Sequence, residues 1–384
     1  MLNFIGGGVC AAKGFRAAGV HAGVKTHAEW KKDVALIVSD VDCAAAAVFT
    51  KNAVKAAPIH VDRKHLADGR ARAVIANSGN ANACAPQGEE NAERMCAAAA
   101  QALGCKPEDV LVSSTGVIGQ RINVEAVEDA IPALCAALER SAEASDAAGH
   151  AIMTTDTVKK EAAVETTVGG KTVRMGGVAK GSGMIHPNMG TMLCFLTTDC
   201  AISPEMIKTA LLETVSVSFN RISVDGDTST NDTCCVLANG LAGNEPITAK
   251  GPDYDAFLAA LRALCTELAK KMASDGEGAR HLITCTVQGA KSEKSAETIA
   301  KSVVSSTLTK AAIFGADANW GRVLCAMGYS KAPFRPEYVD IGFSSIQGSI
   351  LVCEKGTGLD FDEELAKKIL TEHDVEINIA LEEG

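Results

Sequence analysis

The 384-residue sequence contains no run of about 18 apolar residues, the least that a helix needs to cross a bilayer. Its opening, MLNFIGGGVCAAKGFRAAG, lacks the basic region followed by an apolar core that marks an export signal. A cytoplasmic protein with no membrane partner is therefore expected. Basic clusters are missing too: 37 Lys and Arg face 47 Asp and Glu, the net charge is −10, and no Lys/Arg-rich stretch offsets this locally. Such a balance argues against nucleic acid and leaves small molecules as the expected ligands.

Familiar catalytic signatures are also lacking. The eight histidines are dispersed, with no HExxH, and no GxSxG nucleophile elbow occurs. Gly170-Lys171-Thr172 resembles the end of a phosphate-binding loop, but Glu165 stands where that loop needs a glycine. No strand is predicted before Gly6-Gly7-Gly8, and the GxGxxG spacing of a dinucleotide site is missing. None of the fourteen cysteines forms a Cys-x-x-Cys pair, so free thiols are expected and a metal site is not. The adjacent Cys234 and Cys235 fall in a strand-like stretch, where neighbouring side chains point to opposite faces.

What is present is a globular composition, 47% hydrophobic and 22% charged, with apolar strands and amphipathic helices in alternation. Strands are predicted from Val34 (VALIVSD), Ala71 (ARAVIANS), Asp109 (DVLVSS) and Thr191 (TMLCFLTTD), and at DVEINIAL from Asp374. Helices are predicted near 89–103, 124–138, 204–217 and 254–273, where apolar residues recur at three and four. Two alternating runs around Gly169-Gly170 predict a hairpin over 162–178. The alternation predicts an α/β or layered α+β protein. No low-complexity linker and no internal repeat divides the chain.

The least ordinary stretch is Gly176 to Asp199, GGVAKGSGMIHPNMGTMLCFLTTD. A glycine-rich loop crosses a Pro and passes abruptly into an apolar strand whose first residue is Thr191. One reading is a loop feeding a buried strand, with His186 structural. The other is chemical: a Thr after a small residue at a strained junction can attack the preceding carbonyl, turning the Gly190 peptide bond into an ester that water then cleaves. Cleavage would leave Thr191 with a free α-amine of pKa about 7.7–8.0. Such an amine serves as a base toward the adjacent hydroxyl without a histidine.

KGSGMIHPNMGTMLCFLTTD resembles the cleavage segment of the ornithine acetyltransferase family. The resemblance continues through KGFRAAGVHAGVK from Lys13, VFTKNAVKAAP from Val48, IANSGNANAC from Ile75, SSTGVIG from Ser113, IMTTDT from Ile152, NRISVDGDTSTNDT from Asn220, DGEGA from Asp275 and FGADANWGRVL from Phe314. It implies the layered α/β fold shared with DmpA-type proteins, N-terminal-nucleophile chemistry, and cleavage between Gly190 and Thr191. The α chain would be 1–190 and the β chain 191–384, associated as α2β2.

The implied reaction moves an acetyl group from N-acetylornithine to Thr191 and then to glutamate. No cofactor is implied, and acetyl-CoA is a possible co-substrate. Carried over from the family, Thr115 and Gly116 supply the oxyanion hole, and Thr154, Lys180, Thr191 and Glu277 bind substrate. Outside that resemblance, Ser114-Thr115-Gly116 reads as a turn and Asp275-Gly276-Glu277-Gly278 as a helix stop. Two departures stand out: Gly190 replaces the usual Ala, and a C-terminal substrate-binding segment of the family is expected to be missing after INIALEEG. A related self-processing aminopeptidase, which would carry Ser as nucleophile, and a processed but inactive scaffold remain alternatives.

Overall fold

The computed structural model describes residues 2–25, 31–186 and 192–382. These form two compact units, one of residues 1–220 with 227–277 and the other of 221–226 with 278–384. No composition shift announces the boundary, because the second unit begins directly behind the helix stop at Asp275. Its detached piece, 221–226, lies inside a stretch that the sequence alone gave no reason to divide.

The first unit is built on nine strands: β1 (Asn3–Ile5), β2 (Phe15–Val20), β3 (Val34–Phe49), β4 (Arg70–Asn80), β5 (Val110–Val117), β6 (Lys160–Val168), β7 (Lys171–Lys180), β8 (Leu193–Thr198) and β9 (Thr233–Ala238). They form one mixed sheet in the order β1-β6-β7-β8-β9-β3-β4-β5, with β2 also on β3. The predicted hairpin is β6 and β7, in register from Lys160↔Ala179 to Val168↔Lys171. The strand expected from Val34 runs on to Phe49, because a register break between Val38 and Cys43 lets its first half pair with β2 and its second half with β9. That break is a bulge, which redirects a strand without ending it.

Helices α1 (Ala57–His65), α2 (Gly88–Leu103), α3 (Val124–Ala136), α4 (Ala142–Ile152), α5 (Pro204–Val217) and α6 (Pro252–Ser274) complete this unit. Their starts are encoded locally. The side chains of Asn123, Ser141 and Ser203 each accept a first-turn amide, and Pro occupies the first turn of α5 and α6.

Alternation along the strands feeds two apolar clusters. Ala35, Ile37, Val74 and Leu111 join α4, Val178, Phe195 and Leu237 in one; Val34, Leu36, Ile75 and Val112 join α2 and α3 in the other. Because both faces are covered, these strands read as nearly continuous apolar runs. In α6 the buried stripe includes Phe257, Leu258, Leu261, Leu264, Cys265 and Leu268, each large side chain contributing about 1.5–3 kcal/mol. Cys235 faces the first cluster, Cys234 lies beside Cys194 and Cys265, and the cysteines are unbridged.

The second unit has strands β10 (Leu282–Gln288), β11 (Val339–Ser345), β12 (Gly348–Glu354), β13 (Thr357–Gly358) and β14 (Asp374–Leu381), ordered β10-β14-β11-β12-β13. Helices α7 (Glu293–Ser305), α8 (Thr307–Phe314), α9 (Trp320–Gly328) and α10 (Glu363–Leu370) accompany them. β14 matches its sequence expectation and alternates strictly between exposed and buried. Val375, Ile377, Ile379 and Leu381 enter the core of this unit. Among the described residues, no helix is long and apolar enough to cross a membrane.

Candidate active site

β5 carries Ser113-Ser114-Thr115-Gly116 to the end of the sheet, where Gly116 pairs with Gly79 of the parallel β4. Gly116 has φ +131°, and a Cβ there would lie 2.3 Å from the Gly79 carbonyl carbon. Only glycine permits this backbone conformation and this approach. The strand end is fastened by Asn231, whose side-chain amide donates to the Ser114 carbonyl at 2.7 Å and the Ala81 carbonyl at 2.6 Å.

Lys180 ends β7 and is buried. Its ammonium donates to Thr115 Oγ1 at 3.2 Å, so the Thr115 hydroxyl accepts there and keeps its own proton to donate elsewhere. Burial pushes the Lys180 ammonium pKa below its usual value, and Asp156 opposes that shift only in part. The next amide, Gly181 N–H, donates to Asp156 Oδ1 at 2.7 Å, and Thr154 N–H donates to Asp156 Oδ2 at 3.0 Å.

A fully buried lysine joins these pieces. The Lys160 ammonium donates to Asp156 and, at 2.5 Å, to Asp275 Oδ2. Asp275 also receives the Thr157 hydroxyl and, at 3.0 Å, the Thr157 N–H. Burial alone would raise the pKa of both carboxyls; Lys180 and Lys160 hold Asp156 below its usual range, and Lys160 with Thr157 does so for Asp275. Ser182 Oγ donates to the Asp275 carbonyl at 2.7 Å, and Glu277 N–H donates to the Ser182 carbonyl at 3.0 Å. One hydrogen-bonded frame thus fixes IMTTDT, VAKGSG and DGEG, three stretches far apart in sequence. The Glu277 carboxylate packs onto Gly183, where a Cβ would be 2.4 Å from Glu277 Oε1.

Thr115, Gly116, Thr154, Lys180 and Glu277 all line one pocket of about 640 Å³. The structure therefore brings together every described residue that the sequence nominated. Gly190 and Thr191, the nominated cleavage pair, lie outside the described residues. Met192, next in the chain, lines a small adjoining cavity of about 20 Å³ together with Thr115, Lys180, Asn231 and Asp232. The pocket also contains Lys25 and Lys31, which sequence reasoning passed over. Lys25 Nζ donates to the carbonyls of Met153 and Lys32 at 2.9 and 3.1 Å, and burial lowers its pKa. Asp156, Asn231 and Asp232 were likewise passed over, although they sit inside the quoted stretches IMTTDT and STNDT. Their roles depend on partners that the sequence does not place near them.

Chemically, the pocket offers a hydroxyl donor beside a buried ammonium, with carboxylate and ammonium groups on its wall. That set suits an amino-acid ligand whose acyl group must be polarised.

Known proteins agree in sequence. The bifunctional arginine biosynthesis protein ArgJ of Symbiobacterium thermophilum is 49% identical over 384 residues, covering all of this chain and 94% of that protein. ArgJ 1 of Clostridium acetobutylicum is 48% identical over 371 residues, 96% of this chain and 90% of that protein. Among solved structures, ornithine acetyltransferase from Mycobacterium tuberculosis, complexed with ornithine, is 38% identical with a TM-score of 0.46. It covers 49% of this chain and all of that chain. Residues 16–384 match the ArgJ family profile, and the chain belongs to the ArgJ family.

Proposed function

We propose that this protein is an ornithine acetyltransferase that moves the acetyl group of N-acetylornithine to glutamate through an ester on Thr191. The observation that carries the reading is the convergence of Thr115, Gly116, Thr154, Lys180 and Glu277 on one pocket, with Met192 lining a small cavity that shares Thr115 and Lys180 with it. Self-cleavage after Gly190 frees the Thr191 α-amine, which takes the hydroxyl proton as the oxygen attacks the acetyl carbon. The tetrahedral oxyanion receives the Thr115 hydroxyl and the Gly116 N–H, and its collapse releases ornithine. Glutamate then attacks the acetyl ester by the same route in reverse, giving N-acetylglutamate.

The donor carries an ammonium at the end of its side chain and the acceptor a carboxylate. A pocket wall with both Glu277 and Lys25 gives each a counter-charge. Cleavage need not separate the fragments, because β7 and β8, on opposite sides of the cut, pair from Met175↔Thr198 to Lys180↔Leu193. The fragments associate as α2β2 in the cytoplasm. No cofactor takes part, and acetyl-CoA serves only as an optional acetyl donor to glutamate.

Incubation with N-acetylornithine and glutamate, followed by amino-acid analysis, tests the reading. Ornithine and N-acetylglutamate should appear in equal amounts. Release of ornithine that is indifferent to glutamate, or no release, would overturn it.

A further inference from the structure

The residues lining the large pocket include three lysines, Lys25, Lys31 and Lys180, against one carboxylate, Glu277. Lys180 is engaged with Thr115, and Lys31 is exposed. Lys25 differs from both, being half-buried and held along its whole length. Its N–H donates to Oδ2 of the buried Asp33 at 3.0 Å. Its stem crosses Gly79, where a Cβ would lie 2.8 Å from Lys25 Cγ. Its Nζ donates to the carbonyls of Met153 and Lys32.

An ammonium has three donors and no acceptor. Two carbonyls occupy two of the donors without cancelling the charge, and among the described residues no carboxylate forms an ion pair with Lys25. The Asp33 carboxylate instead takes the main-chain amides of Ala22, Gly23 and Lys25. Burial, with Lys31 and Lys180 nearby, disfavours the charged form of Lys25, and Asp33 and Asp156 offset this only in part. A cation fixed in advance on a pocket wall, with a donor to spare, is suited to a ligand carboxylate.

Position indicates which carboxylate. Thr115 and Lys180 line both the large pocket and the small cavity beside Met192, whereas Lys25, Thr154 and Glu277 line only the large one. N-acetylornithine and glutamate carry the same α-carboxylate beside the nitrogen that loses or gains the acetyl group. They differ at the far end of the side chain, an ammonium in one and a carboxylate in the other. We propose that Lys25 is the specificity-determining residue for the acceptor, receiving the side-chain carboxylate of an acidic amino acid while the α-nitrogen lies toward Thr115. The role rests on the acetyl-transfer reading above and separates its two halves, since Lys25 serves the acceptor and not the donor.

An acceptor series on the full wild-type chain tests this, with N-acetylornithine as the common donor and glutamine as the neutral match for glutamate. Wild type should favour glutamate in kcat/KM by about 10- to 150-fold, the factor carried by one hydrogen bond to a charged group. Equal values overturn the proposal without any variant. Lys25→Gln should remove most of the preference by raising the KM for glutamate, with ornithine release from N-acetylornithine alone hardly changed, and Lys25→Arg should keep it. A loss shared by glutamate, glutamine and N-acetylornithine means that Lys25 only fastens the Met153 segment, and the proposal fails. If wild type releases no ornithine, the acetyl-transfer reading falls instead. Calorimetry with glutamate then judges Lys25 by itself, and equal affinities of wild type and Lys25→Gln overturn its role.

Discussion

The two compact units handle burial differently. In the first, Asp33, Asp62, Lys160, Lys180 and Asp232 are among the buried side chains; among the described residues of the second, the buried polar side chains are Ser306 and Thr309. The second unit follows the inexpensive rule, with apolar residues inside and a strand such as β14 alternating cleanly. The first tolerates costly groups where they have work to do. Asp33 takes the amides of Ala22, Gly23 and Lys25 at 2.6–3.1 Å and shapes the approach to Lys25. Lys160 ties the pocket frame together, and Lys180 meets Thr115. Lys160, Lys180 and Asp156 thus gather at the pocket, as expected where a site needs a preorganised field and shifted proton affinities, whereas the buried Asp62 and Asp199 accept backbone amides of Val112, Lys13 and Arg174 and serve the fold.

The sharpest way to test that contrast is to remove the chemistry while leaving the charges. Thr191→Ala should abolish both self-cleavage and transfer, leaving one 384-residue chain in place of fragments 1–190 and 191–384. Electrophoresis reads this directly, and a cleaved Ala variant would place the nucleophile elsewhere. Thr115→Ala removes one oxyanion donor and should lower kcat about 10²–10³-fold, equivalent to about 2.7–4 kcal/mol, with unchanged unfolding. A loss confined to KM would show that Thr115 binds substrate without stabilising the oxyanion.

Lys160→Met tests structure over chemistry. It strands Asp156 and Asp275 in the interior and should destabilise the first unit by about 3–5 kcal/mol in urea unfolding. A near-neutral result would show that water reaches the frame.

The smallest effect is expected in the second unit. Burial pushes Lys301 of α7 down to about 8 from an ordinary 10.5, while its ammonium donates to the Ile222 carbonyl at 2.7 Å. Between these values the unfolded chain holds a proton that the folded chain has shed, so stability should rise as pH climbs from about 8 to 10.5. Lys301→Met should flatten that rise. If the slope persists in the variant, another group carries it.

Periodicity sufficed for α2, α3, α5 and α6 and for about half of the strands, but not for α1, α4 or the helices α7 to α10 of the second unit. α5 falls on 204–217 as expected, β14 on DVEINIAL, and the Gly169-Gly170 hairpin on β6 and β7. These are local patterns, set by side-chain spacing, caps and turn residues. The extension of β3 to Phe49 was not legible, because it depends on a bulge that answers to two different neighbours. Nor was the division at Glu277, since the chain crosses between units without any change in composition.

The candidate site shows the same limit more sharply. Motif resemblance nominated Thr115, Gly116, Thr154, Lys180 and Glu277, and they line one pocket, but it offered no hint of what holds them. Asp156, Lys160, Asp275 and Asn231 do that through partners up to 150 residues away, and a hydrogen bond across such a separation leaves no periodic trace. The sequence by itself determined which segments become strands and helices, the absence of the common nucleophile and cofactor motifs, and the identity of the groups able to react. Only the tertiary structure decided which of those groups face one another and which charges are buried, because proximity and desolvation belong to the folded chain as a whole.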